Sequence, residues 1–266
     1  MKWTDGAEKA LGKVPFFVRK KVRATVESHV QNQGRSVVAE KDLADARKAF
    51  VSGMASQVKG FQAESCFGAS GCPNRANSCD RLMEKAEVIL KEAGILEFLK
   101  KTVGEDLKFH HEFRVAAADC PNGCSQPQIK DVGILGAVVP GVGDAECTLC
   151  GACEKTCPEG AVTLDAGAGK PVIDAKTCVL CGRCITACPT GCIEEERRGF
   201  RVQLGGRLGR HPRLAMELPG VWSEDQVLAI LKNTIDFYKS APGSREGKRF
   251  SQVLTREDLN TICRFS

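Results

Sequence analysis

Fifteen cysteines stand among 266 residues, and eight of them fall into two copies of one pattern, "CTLCGACEKTCP" from Cys147 and "CVLCGRCITACP" from Cys178. Each copy sets three thiols at three-residue intervals, a fourth four residues later and a proline after it. Four more form two pairs, Cys66 with Cys72 and Cys120 with Cys124, the second pair closing on Pro-Asn-Gly. Thiols at this density are either joined to each other or bound to a soft metal. The N-terminus "MKWTDGAEKALGK" has neither the apolar run nor the small-residue cleavage site of an export signal, and the longest apolar run, "VGILGAVVPGVG", falls short of a membrane span. A cytoplasmic protein with no membrane span is therefore expected. Thiols stay reduced there, so the cysteines should hold metal.

The run C-x2-C-x2-C-x3-C-P is the one used by ferredoxins that carry two 4Fe-4S cubes. Its short spacings let a loop wrap one face of a cube, while the fourth cysteine, carried past a turn by the proline, reaches the other cluster. One cluster should take Cys147, Cys150, Cys153 and Cys188, and the other Cys178, Cys181, Cys184 and Cys157. A pair of zinc sites would use separated C-x2-C pairs and leave the triple runs unexplained. Cys192, just past the second run, reads as a packed thiol.

The elements that must position these thiols can be read around them. With 42% hydrophobic and 27% charged residues the chain is a globular one, long enough for one large or two modest domains. Residues 1–60 are basic and cysteine-free. Val18, Val22, Val26 and Val30 predict a helix beginning near Pro15 and stopped by Gly34, and Leu43, Ala46 and Phe50 a second one. Residues 61–145 hold "ESCFGASGCPN", a predicted helix from Arg81 to about Ala93 with Asp80 as N-cap and Gly94 as terminator, a strand "FRVAAA" and the Pro-Asn-Gly turn. Residues 146–195 are the cysteine-dense region. Residues 196–266 begin arginine-rich and continue into a helix opened by a Ser223-x-x-Gln226 capping box, with Val227, Ile230, Leu231, Ile235 and Tyr238 on its apolar face.

The pairs "CFGASGC" and "CPNGC" resemble the signature of siroheme-containing sulfite and nitrite reductases. The resemblance implies that Cys66, Cys72, Cys120 and Cys124 hold a third 4Fe-4S cluster, and that Cys124, beside Asn122, also bridges to the siroheme iron. "QIKDVGILG" is similar to the strand that follows this motif in the family. "GGRLGRHPRL" is similar to a siroheme-contacting loop, which implies Arg207, Arg210, His211 and Arg213 as partners of the macrocycle's carboxylates, with Arg201 of the same cation run beside them. The cations between Arg197 and Met216, with no Asp or Glu among them, would also suit a solvated basic surface or a nucleic-acid patch. No aromatic residues interleave as nucleic-acid binding would want, and Gly205, Gly206 and Gly209 allow close backbone approach. No nucleic-acid partner is expected.

A substrate anion needs cations near the iron, and Lys108, His110, Arg114 and Lys130 are the candidates for catalysis. Alternation along a strand leading to Cys120 would set Lys108, His110, Glu112 and Arg114 on one side. The resemblance implies an α+β fold: half of a siroheme reductase fold, an inserted two-cluster ferredoxin module and a small N-terminal helical domain. It implies six-electron reduction of sulfite to sulfide, with electrons from an external donor protein passing through the ferredoxin clusters. Nitrite reductase, or a non-catalytic siroheme or electron-transfer subunit, are the alternatives. The stretch "WTDGAEKALGKVPFFVRKKVRATVESHV" resembles a small C-terminal helical domain of a light-independent protochlorophyllide reductase subunit. No recognisable strand-containing half-module precedes Cys66. A second protomer or a separate protein is therefore expected to complete the siroheme pocket, docked in part by Arg19, Lys20, Lys21 and Arg23. Cys79 and Cys263 have no expected role.

Overall fold

The apolar spacing of the first residues becomes three helices. In the computed structural model, which describes residues 1–104 and 107–264, α1 (Asp5–Gly12) opens on Thr4, whose hydroxyl accepts from the Ala7 N–H at 3.3 Å. Next, α2 (Phe16–Asn32) opens on Pro15 and α3 (Glu40–Gln57) follows. Gly34 sits at φ +71°, the left-handed conformation that ends a helix cheaply only at glycine. A parallel pair, β1 (Lys2–Trp3) and β2 (Val37–Val38), completes this layer. Ala7, Val26, Val30 and Val38 form its core, with Trp3, Val22, Leu43 and Ala46 packed on it. Phe50 is carried by α3 as expected but is 68% exposed; Leu43 and Ala46, two turns and one turn earlier, pack on that core. Two of the four expected docking cations are engaged within the helices: Arg19 donates to the Val14 and Gly12 carbonyls, and Arg23 pairs with Glu8 and Glu27.

Backbone contacts divide the chain into two units, Met1–Val58 with Val103–His110, and Lys59–Thr102 with His111–Ser266. The second is built on a five-stranded sheet. In chain order its elements are β3 (Phe61–Ser65), α4 (Asp80–Glu92), α5 (Ile95–Val103), β4 (Phe113–Ala118), β5 (Val132–Val142), α6 (Ala152–Thr156), β6 (Val162–Asp165), β7 (Lys170–Ile173), α7 (Arg183–Ala187), β8 (Ile193–Leu204), β9 (Met216–Glu217) and α8 (Glu224–Ser240). The sheet order is β3-β4-β5-β8-β9, the first three parallel and the last two joined antiparallel. Parallel strands are buried on both faces, which is why "FRVAAA" is nearly all apolar. The capping box at Ser223 forms, and every residue of the expected apolar face of α8 is buried. Tyr238 stacks on Phe113 of β4 at 5.9 Å, fixing α8 to the sheet.

Two expectations need correction, and a third holds with an addition. Asp80 does not cap α4; that place falls to Cys79, because Arg75 at 2.6 Å and the Ser78 hydroxyl at 2.9 Å hold the Asp80 carboxylate. Gly94, at φ +60°, ends α4 but a second helix, α5, starts immediately after it. The β4 strand begins only at Phe113, and Phe109–His111 form a 3-10 turn, so two-residue alternation does not carry Lys108 and His110 onto the side of Arg114.

Strands β5 and β8 form one long antiparallel ladder whose chain connection is residues 143–192, containing the β6–β7 hairpin, α6 and α7. The ladder shifts register between Val139 and Pro140, where proline has no N–H to give. Among the described residues no helix is long and apolar enough to cross a membrane.

Candidate functional site

Each triple cysteine run bends around a recess by the same means. Leu149 and Leu180, matched in the repeat, take left-handed φ of +52° and +62°, followed by Gly151 at +74° and Gly182 at +72°. One recess is lined by Cys147, Cys150, Cys153 and Cys188, the other by Cys178, Cys181, Cys184 and Cys157. Each run thus sends its fourth cysteine to the other's recess. Backbone amides point at the sulfurs: Leu149 N–H lies 3.4 Å from Cys147 Sγ and Ala161 N–H 3.3 Å from Cys157 Sγ. Among the described residues no three His, Cys, Asp or Glu side chains converge on a single ion. Four thiols spread around a recess suit a cube, in which each thiolate has its own iron, better than one zinc ion.

The two recesses differ electrostatically. Burial pushes the Cys184 thiol up to about 11, and the Cys178 and Cys181 sulfurs add to it. In the first recess the Ala152 N–H and the Thr148 hydroxyl hold Cys150 below the ordinary thiol value. Burial pushes Cys188 up, but the Ile193 N–H and the Thr190 hydroxyl, 3.6 Å from its sulfur, with the Thr190 and Cys192 N–H groups, hold it below the ordinary thiol value. Cys192 is fully buried, as a packed thiol should be, yet it also lines the first recess beside Cys147.

The remaining four thiols come together because β3 and β4 are parallel neighbours, so the loops that leave them emerge at the same sheet edge. Cys66 follows β3 and donates its N–H to the Ala117 carbonyl at 3.0 Å. Cys120 and Cys124 follow β4. Burial raises the Cys120 thiol, with the nearby sulfurs of Cys124, Cys72 and Cys66 adding to the shift. Asp119 N–H points at Cys66 Sγ at 3.3 Å, and Asn122 Nδ2 at Cys124 Sγ at 3.1 Å. Behind them the buried Asp119 carboxylate accepts from Cys79 N–H at 3.0 Å and pairs with Arg75 Nε at 2.7 Å. A Cβ at Gly68 would sit 2.2 Å from that carboxylate, so glycine is required there. Cys72 and Cys124 are exposed.

Two connections tie this group to its surroundings. Val138 N–H donates to the Leu180 carbonyl at 2.8 Å, and Ile185 of α7 packs on Val138, Cys120 and Ala76, which joins the second recess to the third thiol group through apolar contacts. The Gly206 and Ala215 amides donate to the Lys130 and Gln128 carbonyls, both at 2.8 Å, which brings the arginine loop beside the turn that carries Cys124. Arg207 and Arg213 exchange backbone hydrogen bonds of 2.9 and 3.0 Å, leaving Arg210 and His211 exposed at the tip with Leu208 and Leu214. Arg201 makes a double ion pair with Glu217 at 2.6 and 2.7 Å, an acid one residue beyond the acid-free stretch. Arg207 and Arg213 donate to the His211 and Gly205 carbonyls. An exposed Cys124 next to exposed cations and apolar side chains suits a carboxylate-bearing macrocycle.

The substrate candidates are dispersed. Lys130 is nearly buried and pairs with Glu64, and Arg114 donates its backbone N–H to Asp131 at 2.9 Å. Lys108 and His110 belong to the other unit. Arg75, Asp119, Thr148 and Thr190 were not anticipated, although each lies within three residues of a cysteine of these groups.

Residues 96–264 match the family described as the nitrite and sulphite reductase 4Fe-4S domain, and residues 3–47 match one described as the proto-chlorophyllide reductase 57 kD subunit. The coenzyme F420-dependent sulfite reductase of Methanocaldococcus jannaschii is 32% identical over 185 residues, 70% of this chain but only 28% of that relative's length. A light-independent protochlorophyllide reductase component from Prosthecochloris aestuarii is 47% identical over 49 residues, 18% of this chain and 9% of its own. Among solved structures, a dissimilatory sulfite reductase I superposes with a TM-score of 0.47 at 17% identity, covering 76% of this chain and 51% of that one.

Proposed function

Because the chain belongs to the nitrite and sulphite reductase 4Fe-4S domain family, we propose that it reduces sulfite to sulfide with siroheme and three 4Fe-4S clusters. The observation that carries this reading is the gathering of Cys66, Cys72, Cys120 and Cys124 at one sheet edge, with the second thiol recess packed against them through Val138 and Ile185. Those four thiols hold the inner cube, and Cys124, its sulfur steadied by Asn122, faces the macrocycle. Arg210 and His211 reach its carboxylates, while Arg201, Arg207 and Arg213 shape the loop from within. When bound, siroheme supplies the iron on which the sulfur oxyanion is held while electrons and protons remove its oxygens. Lys130, oriented by Glu64, and Arg114 are the cations and proton donors that this unit offers the anion.

The packing also supports an order for the electron path. An external donor protein reduces the first cluster, at Cys147, Cys150, Cys153 and Cys188; the second cluster, at Cys178, Cys181, Cys184 and Cys157, passes electrons inward past Ile185. The sulfite reductase relative favours sulfite over nitrite. Cys72 and Cys124 are exposed, which supports a second protomer or a separate protein closing the siroheme pocket.

Anaerobically purified protein tests this reading. It should contain about twelve irons in cubes plus one haem-type iron, show siroheme absorbance, and oxidise reduced methyl viologen when sulfite is added. Two clusters and no siroheme would leave an electron carrier, and faster turnover of nitrite would reassign the substrate. Activity that collapses on dilution marks the partner; full turnover by a monomer at every concentration removes it.

A further inference from the structure

The two ferredoxin-type recesses share a repeat and a backbone, yet at three matched positions their linings differ in the same way. Thr148 in the first corresponds to Val179 in the second, and Cys192 in the first to Ala161 in the second. Thr190 in the first corresponds to Glu159 in the second. Each change puts a side-chain donor beside the first set of sulfurs and an apolar or anionic group beside the second. Thr148 and Cys192 line the first recess beside Cys147 and Cys150, and the Thr190 hydroxyl lies 3.6 Å from Cys188 Sγ.

The charged groups nearby do not cancel this difference. Arg201, which donates to the Val179 carbonyl beside the second recess, is neutralised by its double pair with Glu217. Arg183, which lines the second recess, is turned onto Asn74. Lys170 stands on the first side, donating to the Gly143 carbonyl at 2.9 Å.

Hydrogen bonds to the sulfurs stabilise the reduced, more negative form of a cluster and so raise its reduction potential, as does solvent exposure. Cys150 is exposed, whereas no cysteine lining the second recess is. We propose that Thr148, Thr190 and Cys192 set the first cluster at a higher reduction potential than the second, so that the first holds the arriving electron and the second is the stronger reductant facing the inner site. This rests on the cluster assignment proposed above. In this arrangement Cys192 is a positioning thiol and not an iron ligand. The one-electron step itself breaks no bond: the external donor protein is oxidised as the first cluster is reduced, and the electron moves inward when the inner site has accepted its predecessor.

Anaerobic redox titration of the full-length, reconstituted protein, followed by electron paramagnetic resonance, tests the proposal. Wild type should show two ferredoxin-type midpoints. Exchanging the first lining for the second in Thr148→Val/Cys192→Ala should lower only the higher midpoint, by about tenfold in the reduced-to-oxidised ratio (about 59 mV for a one-electron couple), with iron content unchanged. The reverse exchange, Val179→Thr/Ala161→Cys, should raise only the lower midpoint, and it decides the matter if the first variant fails to assemble. No shift in either variant, or equal shifts of both midpoints, overturns the proposal. Failure of the underlying assignment would appear separately, as fewer than two ferredoxin-type clusters in wild-type protein before any exchange is made.

Discussion

The paired recesses and the third thiol group solve one problem, placing four sulfurs, in opposite ways. The recesses are built almost wholly from residues 147–193, each with one buried thiol, Cys153 or Cys184, among its four expected ligands. The third group draws on the loops after β3 and β4, is braced from behind by Asp119 and Arg75, and leaves Cys72 and Cys124 exposed. A store for electrons can be local and closed. A site that must admit a macrocycle and an anion has to be open, and its accuracy then comes from the sheet beneath it.

The largest expected effect separates the two kinds of site. Cys124→Ser should abolish siroheme absorbance and sulfite-dependent dye oxidation while leaving both ferredoxin-type resonance signals in place, and Cys263→Ser should do neither; equal siroheme loss in the two variants would erase the distinction. Next, Cys157→Ser alters the first run in the sequence but should remove the second cluster, with a loss of about four irons per chain. Disappearance of the first cluster's signal instead would refute the crossed arrangement.

A smaller effect probes the sheet under the open site. Burial raises the Asp131 carboxyl to about 6, against the opposing charge of Arg249 and the hydrogen bond from Arg114 N–H. An acid whose folded pKa lies above its unfolded value near 4 penalises the fold once it ionises. Stability from this group is therefore greatest below about pH 4 and falls as pH rises through about 6, by about 3 kcal/mol at most. Asp131→Asn should flatten that slope in chemical denaturation; an unchanged slope would put the titration elsewhere. The smallest effect is that of Arg75→Gln. Its pair with Asp119 is partly exposed on the arginine side, so a loss of about 1–2 kcal/mol is expected, together with broadening of the inner-cube resonance alone. Broadening of all three signals would show that the brace is not specific to the open site.

What could be read in advance follows the same division. The recess linings depend on spacings of three and four residues, and the sequence carries them outright; so does the capping box at Ser223, whose two hydrogen bonds are both local. The strand Phe113–Ala118 was legible because burial on both faces demands an unbroken apolar run. Competition between side chains was not legible. Arg75 drew Asp80 from its cap, and Glu217, paired with Arg201 across two strands, lay just outside the stretch that looked free of acids. The 3-10 turn at Phe109–His111 has no residue signal strong enough to override the apparent alternation toward Arg114.

Strands β5 and β8 sit side by side at the centre of the sheet, yet residues 143–192 separate Val142 from Ile193 along the chain. Closing a flexible loop of that length costs roughly 3–4 kcal/mol of chain entropy. If the clusters proposed above form first, the module gathered around them brings Val142 and Ile193 together before they pair, so the middle of the sheet no longer bears that cost. Iron supply would then govern how fast the central ladder forms as well as whether electrons can cross it: a chain starved of iron should fold its edges first and its middle last.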